Sequence, residues 1–226
     1  MTQPIPEARE PVPDGVRAQI LATEHWGLLA VRSQTWSEVM GRITAQLMFT
    51  SASLLFLALL GQSIGYTETF RSLAVALGLT LLLTGTLTAF RVHNASQEDY
   101  LFVKGMNRLR AGYLDIDPTL EPYFITGLTD DEVGIGQTYT MGPTRNVSHV
   151  AASSGVFIVA VNTIVAAGVT AFVLWSMGPW VASIGAAVLG AAHFAFWIYL
   201  AWRNWQVNLT PGWVRFPTGR TPGRLS

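Results

Sequence analysis

Four stretches of this chain carry no Asp, Glu, Lys or Arg: residues 43–62, 72–90, 154–177 and 180–202. Each is about as long as a helix that crosses the ~30 Å hydrocarbon core of a bilayer, which takes about 20 residues. Inside lipid every backbone N–H and C=O has to be satisfied within the protein, so an uninterrupted apolar run of this length reads as a helix. A barrel strand would be ~10 residues long and would alternate in polarity, which these stretches do not. Composition agrees: only 12% of the 226 residues are charged, about half the share of soluble domains. That excludes a disordered chain, a collagen-like chain and an ordinary soluble globule. The sequence therefore reads as an all-α integral membrane protein with the lipid bilayer as its first partner.

The connections give the expected order. Spans one and two join through 63–71, with Gly65 at the turn, and spans three and four join through Gly178-Pro179, a stop-and-restart signal. The expectation is four transmembrane helices in two hairpins, divided as an N-terminal segment 1–42, hairpin one 43–91, a central segment 92–153, hairpin two 154–203 and a tail 204–226. Termini and central segment then share one side, and 13 of the 14 Lys and Arg residues fall on it, with Arg71 alone opposite. By the positive-inside rule that side is cytoplasmic. Trp175 and Trp180 would form an outer aromatic belt, and Trp197, Tyr199, Trp202 and Trp205 an inner one. Residues 1–13 are polar and Pro-rich, without the apolar core of a cleavable signal peptide. The use of Arg over the single Lys104 hints at a GC-rich bacterial genome, hence a bacterial cytoplasmic membrane. The sequons at Asn94, Asn146 and Asn208 fall on the cytoplasmic side and read as chance.

The cytoplasmic parts read as short amphipathic helices. Ile20, Leu21, Trp26, Leu28, Leu29 and Val31 share a face, either on the membrane surface or against the other cytoplasmic helices. Thr35-Trp-Ser-Glu38 looks like a capping box that starts a new helix into span one. Ser96-Gln-Glu-Asp99 reads as a cap for a helix through Leu114. The alternative is that span two continues unbroken, since no proline lies between Phe70 and Asp117. Asp117-Pro118 restarts the chain. Thr129-Asp-Asp-Glu132 looks like a third box, with Gly134 and Gly136 weakening any helix after it. The recurrence of Phe90-Arg91 as Trp202-Arg203 is thin support for a parallel duplication, and hairpins that both start inside exclude an inverted repeat.

Candidate functional residues are few. His193 is the one ionisable group inside a span, and such residues are functional pointers. It reads either as a pore-lining or sensing imidazole or as neutral glue to Asn162, Thr163 or a threonine of span two. Thr80, Thr84 and Thr88 form a hydroxyl stripe on span two, and Thr50, Ser51 and Ser53 mark span one. Such hydroxyls line a narrow polar path or bond between helices. Ala182, Ala186 and Gly190, with Ala187, Ala191 and Ala195 beside them, give span four small faces for close packing, matched by Ala167 and Ala171 on span three. His93, His149 and His25 can be imagined as haem or metal ligands, but they flank the spans, so no cofactor is expected.

The acidic groups Asp115, Asp117, Glu121 and Asp130, Asp131, Glu132 lack the order of an EF-hand, and capping accounts for them without a metal. With no cysteine, thiolate chemistry and disulfides are absent. The 14 basic and 14 acidic groups argue against a nucleic-acid binder. Phosphate-loop, G-x-S-x-G and H-E-x-x-H motifs are missing. The expected function is non-enzymatic: a homo-oligomer, in the leading reading enclosing a pore lined by span two with His193 as gate or sensor. The rival is an accessory or structural subunit of a larger membrane complex, and a haem or quinone protein is a weaker third.

Overall fold

The structure, a computed structural model, describes residues 12–141, 150–208 and 214–220, with 205–208 described by backbone alone. The described residues are helical or irregular, with no strand among them. Helix α1 runs Asp14–Ile64, α2 Glu68–Ile116, α3 Glu132–Thr140, α4 Ser154–Leu174 and α5 Pro179–Asn208; short 3-10 turns cover Pro118–Tyr123 and Trp175–Met177. Four of these helices are long and apolar enough to cross a membrane: α1, α2, the Ser154–Met177 run and Pro179–Asn204.

Helices α1 and α2 are continuous over 51 and 49 residues, far more than a span requires. The helix start expected at Thr35–Glu38 is therefore absent. Thr35 is buried in mid-helix, and Glu38 pairs with Arg42 and Arg91 rather than capping. Of the two readings of span two, the unbroken one holds: Ser96 sits inside α2, its hydroxyl bonded to the Val92 carbonyl. Neither helix contains proline, so no backbone group is lost that would end it. The two glycines expected at the turns do break the chain. Gly65 and Gly178 have φ of 69° and 105°, where a Cβ would be strained. Asp117 caps the turn that follows it by accepting from Thr119 N. The third box is shifted: Asp131, not Thr129, caps α3, and α3 forms despite its two glycines.

The described residues separate into two compact units: 12–31 with 102–141 and 214–220, and 32–101 with 150–208. The cuts fall inside α1 and α2, outside the uncharged windows. In the second unit the pairs climb α1 as they descend α2: Arg32 with Asp99, Glu38 with Arg91, Gln46 with Leu81, and Gly61 against Phe70. Helices α4 and α5 pack along their length, with Gly190 against Ala167 and Thr163 and Gly185 against Thr170 and Leu174. Its core is Val39, Ile43, Ala89, Val92, Ala95, Ile158, Val159 and Trp197. In the first unit Leu21 and Leu28 of α1 lie against Gly112 and Gly105 of α2.

Candidate functional site

The inward face of α1 in the second unit carries Thr35, Val39, Ile43, Gln46 and Ser53, at the three- and four-residue steps of one helical stripe. Its Gln46 meets a polar group on α2, and with the polar side chains of the other helices it forms a layer of neutral hydrogen bonds. Gln46, 5% exposed, donates through Nε2 to the Leu81 carbonyl of α2 at 3.1 Å. Asn162 of α4, 1% exposed, donates through Nδ2 to Thr86 Oγ1 of α2 at 3.1 Å. Its neighbour Thr163 lies 2.8 Å from Nδ1 of His193 on α5. Four helices therefore contribute to the layer, and the adjacent Asn162 and Thr163 tie α4 to α2 and α5.

The chemistry of the donors assigns the His193 tautomer. Trp197 Nε1 reaches His193 Nε2 at 3.2 Å, and an indole N–H can only donate. Nε2 therefore carries the lone pair, and the neutral ring holds its proton on Nδ1, from which it donates to Thr163 Oγ1. Both ring nitrogens are engaged, and protonation at Nε2 would break the bond to Trp197. His193 is thus bonded within the protein at both nitrogens, to Thr163 of α4 and Trp197 of its own helix. Trp197, expected in the inner aromatic belt, is instead 4% exposed, with its ring 4.8 Å from that of Phe90. Tyr199 and Trp202 are exposed, as are Trp175 and Trp180; the side chain of Trp205 lies outside the described residues.

One atom of the layer lacks a hydrogen bond among the described residues, Asn162 Oδ1. It lies against the backbone of Gly85, where an added Cβ would collide with it and would stand 3.1 Å from Gln46 Nε2. Glycine at 85 is what lets two amides enter between α1, α2 and α4.

The hydroxyl stripe behaves differently. Thr80, Thr84 and Thr88 each donate to the carbonyl four residues back, at 3.0, 3.1 and 2.9 Å. Thr80 and Thr84 are exposed on the surface of the unit and Thr88 is buried. Ala182 and Gly190 are buried and Ala186 is half-buried, so that small face is the one packed inside; Ala187, Ala191 and Ala195 face outward. Of the other histidines, His93 bonds Asn204 at 2.6 Å and His25 stacks on Tyr113, while His149 lies outside the described residues, as do the sequon at Asn146 and the end of that at Asn208. Burial, then the nearby Arg110, pushes the His25 pKa down.

Of the acidic groups, the four aspartates are taken up by the protein. Asp115 pairs with Arg220 at 2.9 Å, Asp117 caps its turn, and Asp130 pairs with Arg108 at 2.7 Å. Among the described residues no three His, Asp or Glu side chains gather as a metal site.

Two arrangements had no signal in the sequence. Asp99 is buried in the second unit, where Arg32 Nε and Trp36 Nε1 both reach its Oδ1 at 2.7 Å. Asp130, 0% exposed, accepts backbone N–H groups from a segment more than 80 residues away. Gln46 was legible only as an uncharged residue inside a span; its four-residue spacing to Thr50 on a hydroxyl-bearing face was the available clue. No protein-family model matches the chain, and no characterised protein or solved structure is significantly similar to it.

Proposed function

We propose that the chain is a non-enzymatic protein of a bacterial cytoplasmic membrane that works by assembling with copies of itself. In this reading α1 and α2 form one transmembrane hairpin and α4 and α5 a second. Termini and central segment are cytoplasmic, on the strength of the 13-to-1 bias of basic residues. The observation that carries the assembly is the contrast among the polar side chains of the spans. Gln46, Asn162, Thr163 and His193 are spent on holding helices together, whereas Thr80 and Thr84 face outward. A polar path, if the protein makes one, runs between copies along that threonine face, and His193 supports the subunit rather than gating it.

The chain lacks cysteine, so cysteines placed at Ser63 and Ser226 test the topology. An impermeant thiol reagent added outside should label the first and spare the second; equal labelling overturns the two-hairpin arrangement. Mass measurement in gentle detergent and ion flux from loaded liposomes test the rest. A monomer that leaves liposomes tight would overturn both assembly and pore.

A second reading, an accessory subunit of a larger membrane complex, is favoured by the first unit. Tyr123, Ile125, Val133 and Met141 stand exposed there, Ile125 at 85%, and Ile125 and Val133 line a cleft with Pro122, Phe124 and Leu128. Exposed apolar surface of this kind marks interaction sites. This reading expects other proteins to co-purify stoichiometrically, and a chain that runs alone in every gentle detergent sinks it.

A further inference from the structure

The first unit holds a short segment, Val214–Arg220, by an unusual means. Its backbone N–H groups point into side-chain carboxylates. Phe216 N donates to Asp130 Oδ1 at 2.7 Å, Arg215 N to both oxygens of Asp130 at 3.0 and 3.1 Å, and Thr218 N to Asp131 Oδ2 at 2.6 Å. Asp130 N returns a bond to the Phe216 carbonyl at 3.1 Å. At the far end Arg220 pairs with Asp115 at 2.9 Å and lies 4.4 Å above the Phe216 ring. Apolar burial is confined to two side chains, Val214 and Phe216, while Arg215, Pro217, Thr218 and Gly219 are exposed. The carboxylates, in contrast, are fixed from behind. Asp130 is buried and braced by Arg108, and Asp131 caps α3 and accepts from Thr129.

We propose that Val214–Arg220 is a polar latch that docks on a preformed acidic corner, Asp130–Asp131 with Asp115, and opens without unfolding the helices around it. A short segment, mostly exposed and held mainly by polar bonds, has a lower local opening free energy than a packed helix. Opening also has a consequence at the cleft of this unit. Thr218 and Gly219 form one wall of it, facing Phe124, Leu128, Val133 and Gln137. Latch closed, the cleft is bounded on that side; latch open, it loses that wall. The latch therefore sets the shape of the cleft.

The Cys-free full-length chain allows a direct test, because Thr129 Oγ1 and Thr218 Oγ1 are 3.4 Å apart. A Thr129→Cys, Thr218→Cys double variant in detergent should oxidise within one chain and run as a monomer on a non-reducing gel. Failure to cross-link, or cross-linking only between chains, overturns the docked latch. Hydrogen exchange then reads the opening. With the thiols reduced, the amides of Arg215, Phe216 and Thr218 should exchange roughly tenfold faster than those of 103–110 in α2. Oxidation should slow 215–218 and 128–137 and leave 103–110 unchanged. Equal exchange of latch and α2 in the reduced protein would mean that they open together, and the proposal fails. Asp131→Asn keeps the shape at an only partly buried site. It should speed exchange at Thr218 by a further several-fold without touching α2, and an unchanged Thr218 rate also counts against the latch.

Discussion

The two units solve the problem of interior polarity in opposite ways. The first is organised by full charges. Asp130 is wholly buried with Arg108 and Lys104 beside it, Asp115 pairs with Arg220, and Asp131 receives three donors. The second keeps its charges to the stretch outside the uncharged windows, in Arg32–Asp99 and Glu38–Arg91–Glu98. Within those windows the described side-chain bonds use amides, hydroxyls, an indole and one neutral imidazole. The difference follows from what surrounds each. An ion is expensive wherever it leaves water, and most of all in hydrocarbon, where nothing beyond the first partner helps. A neutral hydrogen bond costs far less to bury and still fixes which helices meet.

The largest effect should come from breaking a buried charge. Asp130→Ala removes the buried carboxylate beside Arg108 and the 3%-exposed Lys104. Burial already lowers the Lys104 pKa, and only the Asp130 charge offsets it. Loss of one partner from a buried pair costs about 3–5 kcal/mol. Hydrogen exchange should show the first unit opened while α4 and α5 stay protected; a uniform loss across both would break the comparison. Acid acts on the same unit more gently. Burial pushes the Asp131 pKa up, but bonds from Thr218, Gly134 and Thr129 outweigh it and lower it from 3.8 to about 2. A depressed carboxylate stabilises above its unfolded value, so this contribution is full above about pH 4 and is lost as pH falls toward 2.

Next in size is Gly85→Val. The added side chain meets Asn162 and Gln46, and overpacking of a tight contact costs about 1–3 kcal/mol. The expected result is a lower melting temperature in detergent. Asn162→Ala in the same chain should recover part of it, because it removes the group in the way. No recovery would mean that the clash lies elsewhere.

These sites also show where the sequence was readable. The four apolar helices followed from the absence of charge over about 20 residues, a property of each window taken alone. So did the turns at Gly65 and Gly178, which depend on one residue each. The false helix start at Thr35–Glu38 shows the limit. A Ser/Thr-x-x-Glu pattern signals a cap only when the helix has no reason to continue, and here the stripe through Thr35, Val39 and Ile43 carries α1 straight across it. Asp130 and the latch were unreadable because the partners are more than 80 residues apart and the donors are backbone N–H groups, which leave no mark on residue type. His193 stood out, and Thr163 was among the partners considered for it. The Trp197 indole that fixes its tautomer did not, because Trp197 sits four residues along among aromatics that suggested a membrane interface.

His193 tests the second unit at a smaller scale. His193→Phe removes the bonds to Thr163 and Trp197 and should cost roughly 1 kcal/mol, typical of a hydrogen bond between membrane helices. Thermal unfolding in detergent measures it. If liposome flux is found, its dependence on pH between about 5 and 7, where imidazole ordinarily titrates, should be the same for both proteins. A pH profile lost with the imidazole would return His193 to the role of sensor and break the account of a purely neutral layer.

The smallest effect on stability separates what a unit does for itself from what it offers outward. Thr80→Val with Thr84→Val replaces two exposed hydroxyls that bond only to their own helix, at 3.0 and 3.1 Å. Shape is nearly kept and each carbonyl retains its α-helical partner, so unfolding of the monomer should move by no more than ~0.5 kcal/mol, as for other surface changes. Association is the sensitive measurement. If copies meet along this face, two methyls in place of two hydroxyls remove hydrogen bonds available only between chains, and the oligomer in gentle detergent should dissociate at higher protein concentration than the parent does. Where a polar path runs along the face, ion flux should fall with it. If both oligomeric mass and flux stay as in the parent, Thr80 and Thr84 face lipid with their hydroxyls turned back on the helix. The self-association proposed above would then have to rest on another surface, of which the outward Ala187, Ala191 and Ala195 face of α5 is the next to test.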